Sequence, residues 1–204
     1  MNKPQRFHPS SVLGVLLMLC ASASFADVSE HKKACTDVQA KAASSAIAEA
    51  KKALNKAINT MKSPSSGDAA RQIKWFGALD STTAAQVRVK YEAALGNVAF
   101  VQVWCPVSND LTFKWDSGDL AAVHPSAPGA IFLPPDFFNL GASGADSQMG
   151  TIIHEATHLS GVGLHPEVYG VAKAKALAAK TPAQARNNSD NYQYYAEDTV
   201  FTLP

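Results

Sequence analysis

The stretch GTIIHEATHLSGVGLHPEVYG, Gly150 to Gly170, holds three of the chain's six histidines and decides how the rest is read. His154 and His158 stand four residues apart. On a helix that spacing puts both imidazoles on one face, one turn apart, where they can share one Zn²⁺. Glu155 is then placed to take a proton from metal-bound water, whose pKa the ion has lowered towards neutrality. The neighbouring Thr151, Ile152, Ile153, Ala156, Thr157 and Leu159 are uncharged, as a buried active-site helix requires, and Gly161 and Gly163 let the chain turn back. A third protein ligand is needed, and the stretch offers His165 or Glu167. An HExxHxxGxxH spacing fails by one residue: Gly161 is in place, but Leu164 stands where the last histidine belongs. Glu197 is a remote candidate.

Working outward, residues 28–62 carry Val38, Ala42, Ile47, Ala50, Leu54, Ile58 and Met61 at three- and four-residue steps, which predicts a long amphipathic helix with lysines on its solvated face. His31 is placed on that solvated face. SPSSG (63–67) breaks it, a second helix is expected from Asp68 to about Leu79, and a third, capped by the serine and threonines at 81–83, reaches about Leu95. NVAFVQVWC (97–105), LTFKWD (111–116) and AIFLPPDFF (130–138) have the β-branched and aromatic character of strands. Together they predict a small antiparallel sheet, whose aromatics Trp104, Phe113, Trp115, Phe132, Phe137 and Phe138 form its core or part of a cleft wall. Asp146 is expected to cap the helix through His158, and Pro166 to start another ending near Ala179. Short helical turns follow. No linker divides the chain, so the expectation is one α+β domain.

Residues 1–26 read as a secretory signal peptide: Lys3 and Arg6 lead, Val12–Leu19 is a short apolar run, and Ser24 and Ala26 are small. Leu19 before Cys20 is too large for a lipoprotein box. Cleavage near Ala26 leaves residues 27–204, with 16 basic and 17 acidic side chains. That balance gives no reason to expect a nucleic-acid or membrane-surface partner. No later run has the apolar length of a bilayer span. Two cysteines remain, Cys35 and Cys105. In an oxidising compartment an isolated pair is expected to form one disulfide, two buried thiols being the alternative.

Several separated motifs then arrive in order. GADSQMGTIIHEATH, the later GLHPEVYG, NNSDNYQYYAED (187–198) and KWFGAL resemble the aspzincins, the deuterolysin and peptidyl-Lys metalloendopeptidase family, whose signature is HExxH followed by GTxDxxYG. The similarity runs over essentially the whole mature chain. It implies a secreted zincin-like endopeptidase with a two-His, one-Asp zinc site. It also implies that Tyr169 stabilises the oxyanion, and that Asp190 matches an acid which in lysine-specific members helps receive the substrate's ammonium group. The second such acid corresponds to Gln193, one charge fewer.

The departure is the third ligand, because the family's aspartate falls on Pro166. His165, four residues before Tyr169, is the favoured replacement. Glu167 keeps the carboxylate and adds a methylene, yet its two-residue offset from Tyr169 tends to point it elsewhere. A site with no third ligand is the remaining possibility.

The expectation is therefore a monomeric, secreted or periplasmic zinc endopeptidase acting on protein or peptide, with one Zn²⁺ on His154, His158 and His165 (or Glu167). Glu155 serves as base and Tyr169 as oxyanion donor. The alternatives are a non-catalytic exported binding or inhibitory protein with a degenerate site, and a metal-dependent amidase acting on cell-wall peptides.

Overall fold

Thr36 opens the first long helix by reciprocal capping: its hydroxyl accepts from the Gln39 amide, while the Gln39 side chain accepts from the Thr36 N–H. This helix, α1 (Asp37–Lys62), buries a stripe made largely of alanine, including Ala43, Ala46, Ala50, Ala53 and Ala57. Small side chains there let neighbouring helices approach closely. The computed structural model describes residues 28–108, 119–162 and 167–204. The signal-peptide segment, LTFKWD, His165 and Pro166 lie outside them.

Ser65 and Asp80 cap α2 (Ser66–Phe76) and α3 (Ser81–Phe100) in the same reciprocal way. Gly77 ends α2 at φ 73°, where a Cβ would lie 2.7 Å from the Pro182 ring. Two three-residue strands follow, β1 (Gln102–Trp104) and β2 (Ala130–Phe132), in parallel register with Val103 opposite Ile131.

The expected antiparallel sheet is thus corrected to a two-stranded parallel one among the described residues, and α+β to mostly helical. An isolated antiparallel bridge, Ala122 to Phe132, adds one rung. The NVAF segment is helical because Val98 is buried in the core, while the Asn97 side chain donates to the Ser160 hydroxyl at 2.7 Å. The connection between the strands is long enough for a parallel crossover, which a tight hairpin is not.

The C-terminal half supplies α4 (Gln148–Leu159), α5 (Val171–Lys180), the single turn α6 (Pro182–Ala185) and α7 (Ser189–Phe201). Ser147, not Asp146, caps α4. Asp146 sits at φ 54° and accepts instead from the Tyr194 hydroxyl and the Gln193 amide. α4 is enclosed by α1, α3 and α7. Trp75, Phe76, Tyr91, Tyr192 and Tyr195 fill the core between α2, α3 and α7. Phe132 and Phe137 are fully buried, as sheet-side core. His31 is buried rather than solvated and pairs with Glu30.

Cys35 and Cys105 form a disulfide that ties the N-terminal segment to the end of β1. No helix among the described residues is long and apolar enough to cross a membrane.

Candidate metal centre

The Ser147 hydroxyl accepts from the Gly150 N–H at 3.0 Å and so fixes the first turn of α4. Ile152, Ile153 and Ala156 anchor the helix in the core. His154, Glu155 and His158 emerge at the floor of a cleft of about 730 Å³. Leu120 to Val123 also line it, as do Asp119, Asp146, Asp190 and Tyr194.

The two histidines meet as their spacing predicts, with Nε2 atoms 3.1 Å apart. Glu167 brings its Oε2 to 3.6 Å from His154 Nε2 and 3.3 Å from His158 Nε2. These three atoms form a metal-ligand group among the described residues. Ligands bound at about 2.1 Å with tetrahedral angles lie about 3.4 Å apart. The three edges match that figure, and two imidazole nitrogens with one carboxylate oxygen are donors that zinc accepts. The residues present therefore fit the ion.

Glu167 reaches this position because residues 167–170 precede α5 and are not helical, so its two-residue offset from Tyr169 does not turn the side chains apart. The Tyr169 hydroxyl donates to Glu167 Oε2 at 2.8 Å, and its ring stacks on His154 with centroids 6.0 Å apart. Asp190 accepts at Oδ1 from His154 Nδ1, 2.9 Å away, which leaves Nε2 as the free donor atom. Its Oδ2 accepts from the Gly170 N–H. Both Asp190 oxygens thus hold protein groups while the side chain lines the cleft.

The electrostatics follow from burial and pairing. Burial alone would lower the His154 pKa, but the bonds to Asp190 and Glu167 outweigh it and hold it well above the ordinary histidine value. Burial would raise Glu167, yet the two imidazoles win and keep its carboxyl far below the usual range. Glu155 is pushed up by burial, partly offset by the two histidines. Burial and the bond to Glu167 raise Tyr169, so its phenol keeps its proton at neutral pH.

Glu197 is fully buried beneath the start of α4 rather than at the metal group. Its Oε1 accepts from the Ser147 N–H and hydroxyl, and its Oε2 has no hydrogen-bond partner. Burial raises its pKa to about 7 against the opposing Ser147 bonds.

Residues 61–197 match the family described as lysine-specific metallo-endopeptidase, the M35 aspzincins. The chain belongs to the aspzincin family. It is 35% identical over 131 residues to a peptidyl-Lys metalloendopeptidase of Pleurotus ostreatus, covering 63% of this chain and 73% of that protein. It is also 35% identical over 133 residues to an extracellular protease of Aeromonas hydrophila, covering 63% of this chain but 36% of that protein. The match thus spans about a third of the Aeromonas protein's length. A solved zinc peptidase from Grifola frondosa superposes with a TM-score of 0.69 at 26% identity, covering 80% of this aspzincin and 97% of that chain.

The bond from Asp190 to His154 was not legible in the sequence. The resemblance pointed to Asp190 as a substrate-receiving acid, not as a partner of His154.

Proposed function

We propose that this aspzincin is an exported zinc-dependent endopeptidase with one Zn²⁺ held by His154, His158 and Glu167. The observation that carries the reading is the set of ligand edges of 3.1, 3.3 and 3.6 Å on an HExxH helix. Zinc, when bound, supplies Lewis acidity, lowering the pKa of water and polarising a carbonyl oxygen.

The chain's own groups do the rest. Glu155 receives the proton of the attacking water on a carboxylate oxygen and returns it to the departing amine nitrogen. Its burial favours this, because a carboxyl raised above its ordinary value is a better proton acceptor when ionised. The Tyr169 hydroxyl, half exposed at the cleft and now on Glu167, is the donor for the developing oxyanion. Asp190 keeps His154 in the tautomer that presents Nε2.

Peptides are the substrate class that family membership supports. Asp119, Asp146 and Asp190 make the cleft electronegative, which favours a basic side chain near the scissile bond. Asp190 contributes there through its charge, since both oxygens are engaged. Gln193 carries no charge and donates to Asp146, so strict lysine preference is not expected. Export is supported by the basic, apolar and small-residue order of the first 26 residues and by the disulfide.

The decisive test is Glu155→Gln. Casein hydrolysis should fall by at least about a thousandfold while near-stoichiometric zinc is retained. Persisting hydrolysis would refute the mechanism, and absence of zinc from the unmutated protein would favour a non-catalytic role.

A further inference from the structure

Glu167 opens the non-helical stretch 167–170 ahead of α5, so its place at the histidines must be imposed by something outside that stretch. The structure shows one clear source, the first residues of α7. Asn188 occupies the N-cap position, where an asparagine normally accepts from its own helix. It makes no such bond. Its side chain is 3% exposed as a residue and is diverted to Val168: Oδ1 accepts from the Val168 N–H at 2.8 Å, and Nδ2 donates to the Val168 carbonyl at 2.9 Å. Nδ2 also donates to Asn191 Oδ1 at 2.8 Å.

The service is returned. The Ser189 N–H, an amide that the cap leaves unpaired, donates to Glu167 Oε1 at 3.3 Å. The next residue, Asp190, holds the Gly170 N–H and His154 Nδ1. Three consecutive residues therefore fix Glu167 from both sides and orient one histidine. The positive end of α7 also favours the charged carboxylate.

We infer that Asn188 is a positioning residue for metal binding: its carboxamide clamps Val168 so that Glu167 presents Oε2 to the two histidines. The inference rests on the reading of Glu167 as the third ligand. Only an amide satisfies both partners. Aspartate would still accept from the Val168 N–H and is itself a good cap. However, it would set a carboxylate against the Val168 carbonyl and Asn191 Oδ1, close to Glu167. Alanine would lose both bonds.

The test compares Asn188→Asp and Asn188→Ala with the native protein, using Glu167→Ala as reference. Zinc affinity is read by chelator competition, site geometry by the visible spectrum of the cobalt-substituted protein, and folding by thermal melts of the metal-free chain. The expected result is a tenfold to hundredfold loss of zinc affinity, the range found when a residue supporting a metal ligand is removed. The cobalt spectrum should shift, and kcat should fall while KM changes little. Both metal-free variants should still melt cooperatively, at a Tm lowered by the lost bonds to Val168.

Unchanged affinity and spectrum in both variants, with zinc lost in Glu167→Ala, would overturn the inference and leave the proposed function standing. Zinc retained by Glu167→Ala would overturn both. Failure of both Asn188 variants to fold would overturn it too, by assigning Asn188 to general stability.

Discussion

Replacing Glu167 by glutamine keeps the side chain's size but removes a charge from the candidate metal centre and the acceptor for the Ser189 N–H. The amide carbonyl can still accept from the Tyr169 hydroxyl, and the side chain keeps its length. What is lost is the anionic oxygen 3.3 and 3.6 Å from the histidine nitrogens. Structural zinc sites with four protein ligands bind with an apparent 10–16 kcal/mol, so one ligand accounts for roughly 3 kcal/mol. That corresponds to an affinity loss on the order of a hundredfold or more. The loss can be read as stability. At zinc a hundredfold above the native Kd, binding stabilises the native chain by about 2.7 kcal/mol, whereas a variant bound a hundredfold more weakly gains only about 0.4 kcal/mol. For a domain of this size the missing stabilisation amounts to roughly 5–9 °C in Tm. Thermal melts with and without zinc, on Glu167→Gln and on His165→Ala in parallel, give the answer. Glu167→Gln should lose most of the zinc-induced shift and His165→Ala should keep it. The reverse pattern would refute the carboxylate assignment and restore the histidine that the sequence favours.

Gly150→Ala should destabilise by about 2 kcal/mol. The roughly 1 kcal/mol gained in helix propensity is outweighed by overpacking and by disturbance of the buried carboxylate. The new Cβ would lie 1.9 Å from Glu197 Oε1, and an unchanged Tm would refute this contact. Glu197 has its folded-state pKa raised to about 7 from 4.5, so its contribution is fully present below about pH 4.5 and is lost as pH rises through 7. Glu197→Gln does not titrate. In urea titrations it should gain on the native protein by about 3 kcal/mol between pH 4.5 and pH 8.5, and a pH-independent difference would count against the raised value. Opening the disulfide with Cys35→Ser releases a closure of 70 residues and should cost about 4 kcal/mol in the same urea assay.

α1, α2 and α4 were legible from apolar spacing and breakers, whereas their caps, Thr36, Ser65 and Ser147, were not. Two failures have physical causes. Asp146 is as good a cap by residue type as Ser147, but it is spent on Tyr194 and Gln193, contacts that only tertiary structure supplies. The β-branched residues after Asn97 look like strand because local preference favours it, yet packing against α4 keeps them helical as far as Phe100. At the metal group, two of the three donors followed from spacing alone. The third was judged on helical geometry that residues 167–170 do not adopt. Asp190 was visible as a residue but not as a partner of His154, because the two lie 36 positions apart and no spacing rule connects them.

The residues that line the cleft are unequal in their freedom to change. Around the metal group the polar side chains are committed: His154 to Asp190, Glu167 to Tyr169 and Ser189, Asp146 to α7. A substitution there disturbs metal binding before it alters selectivity. Leu120 to Val123 with Pro125 line the same cleft and include no member of the metal group. New cleavage preferences, whether reached by natural drift or by directed evolution, should therefore accumulate in that short segment. A library confined to it would vary the cleft without touching the metal group.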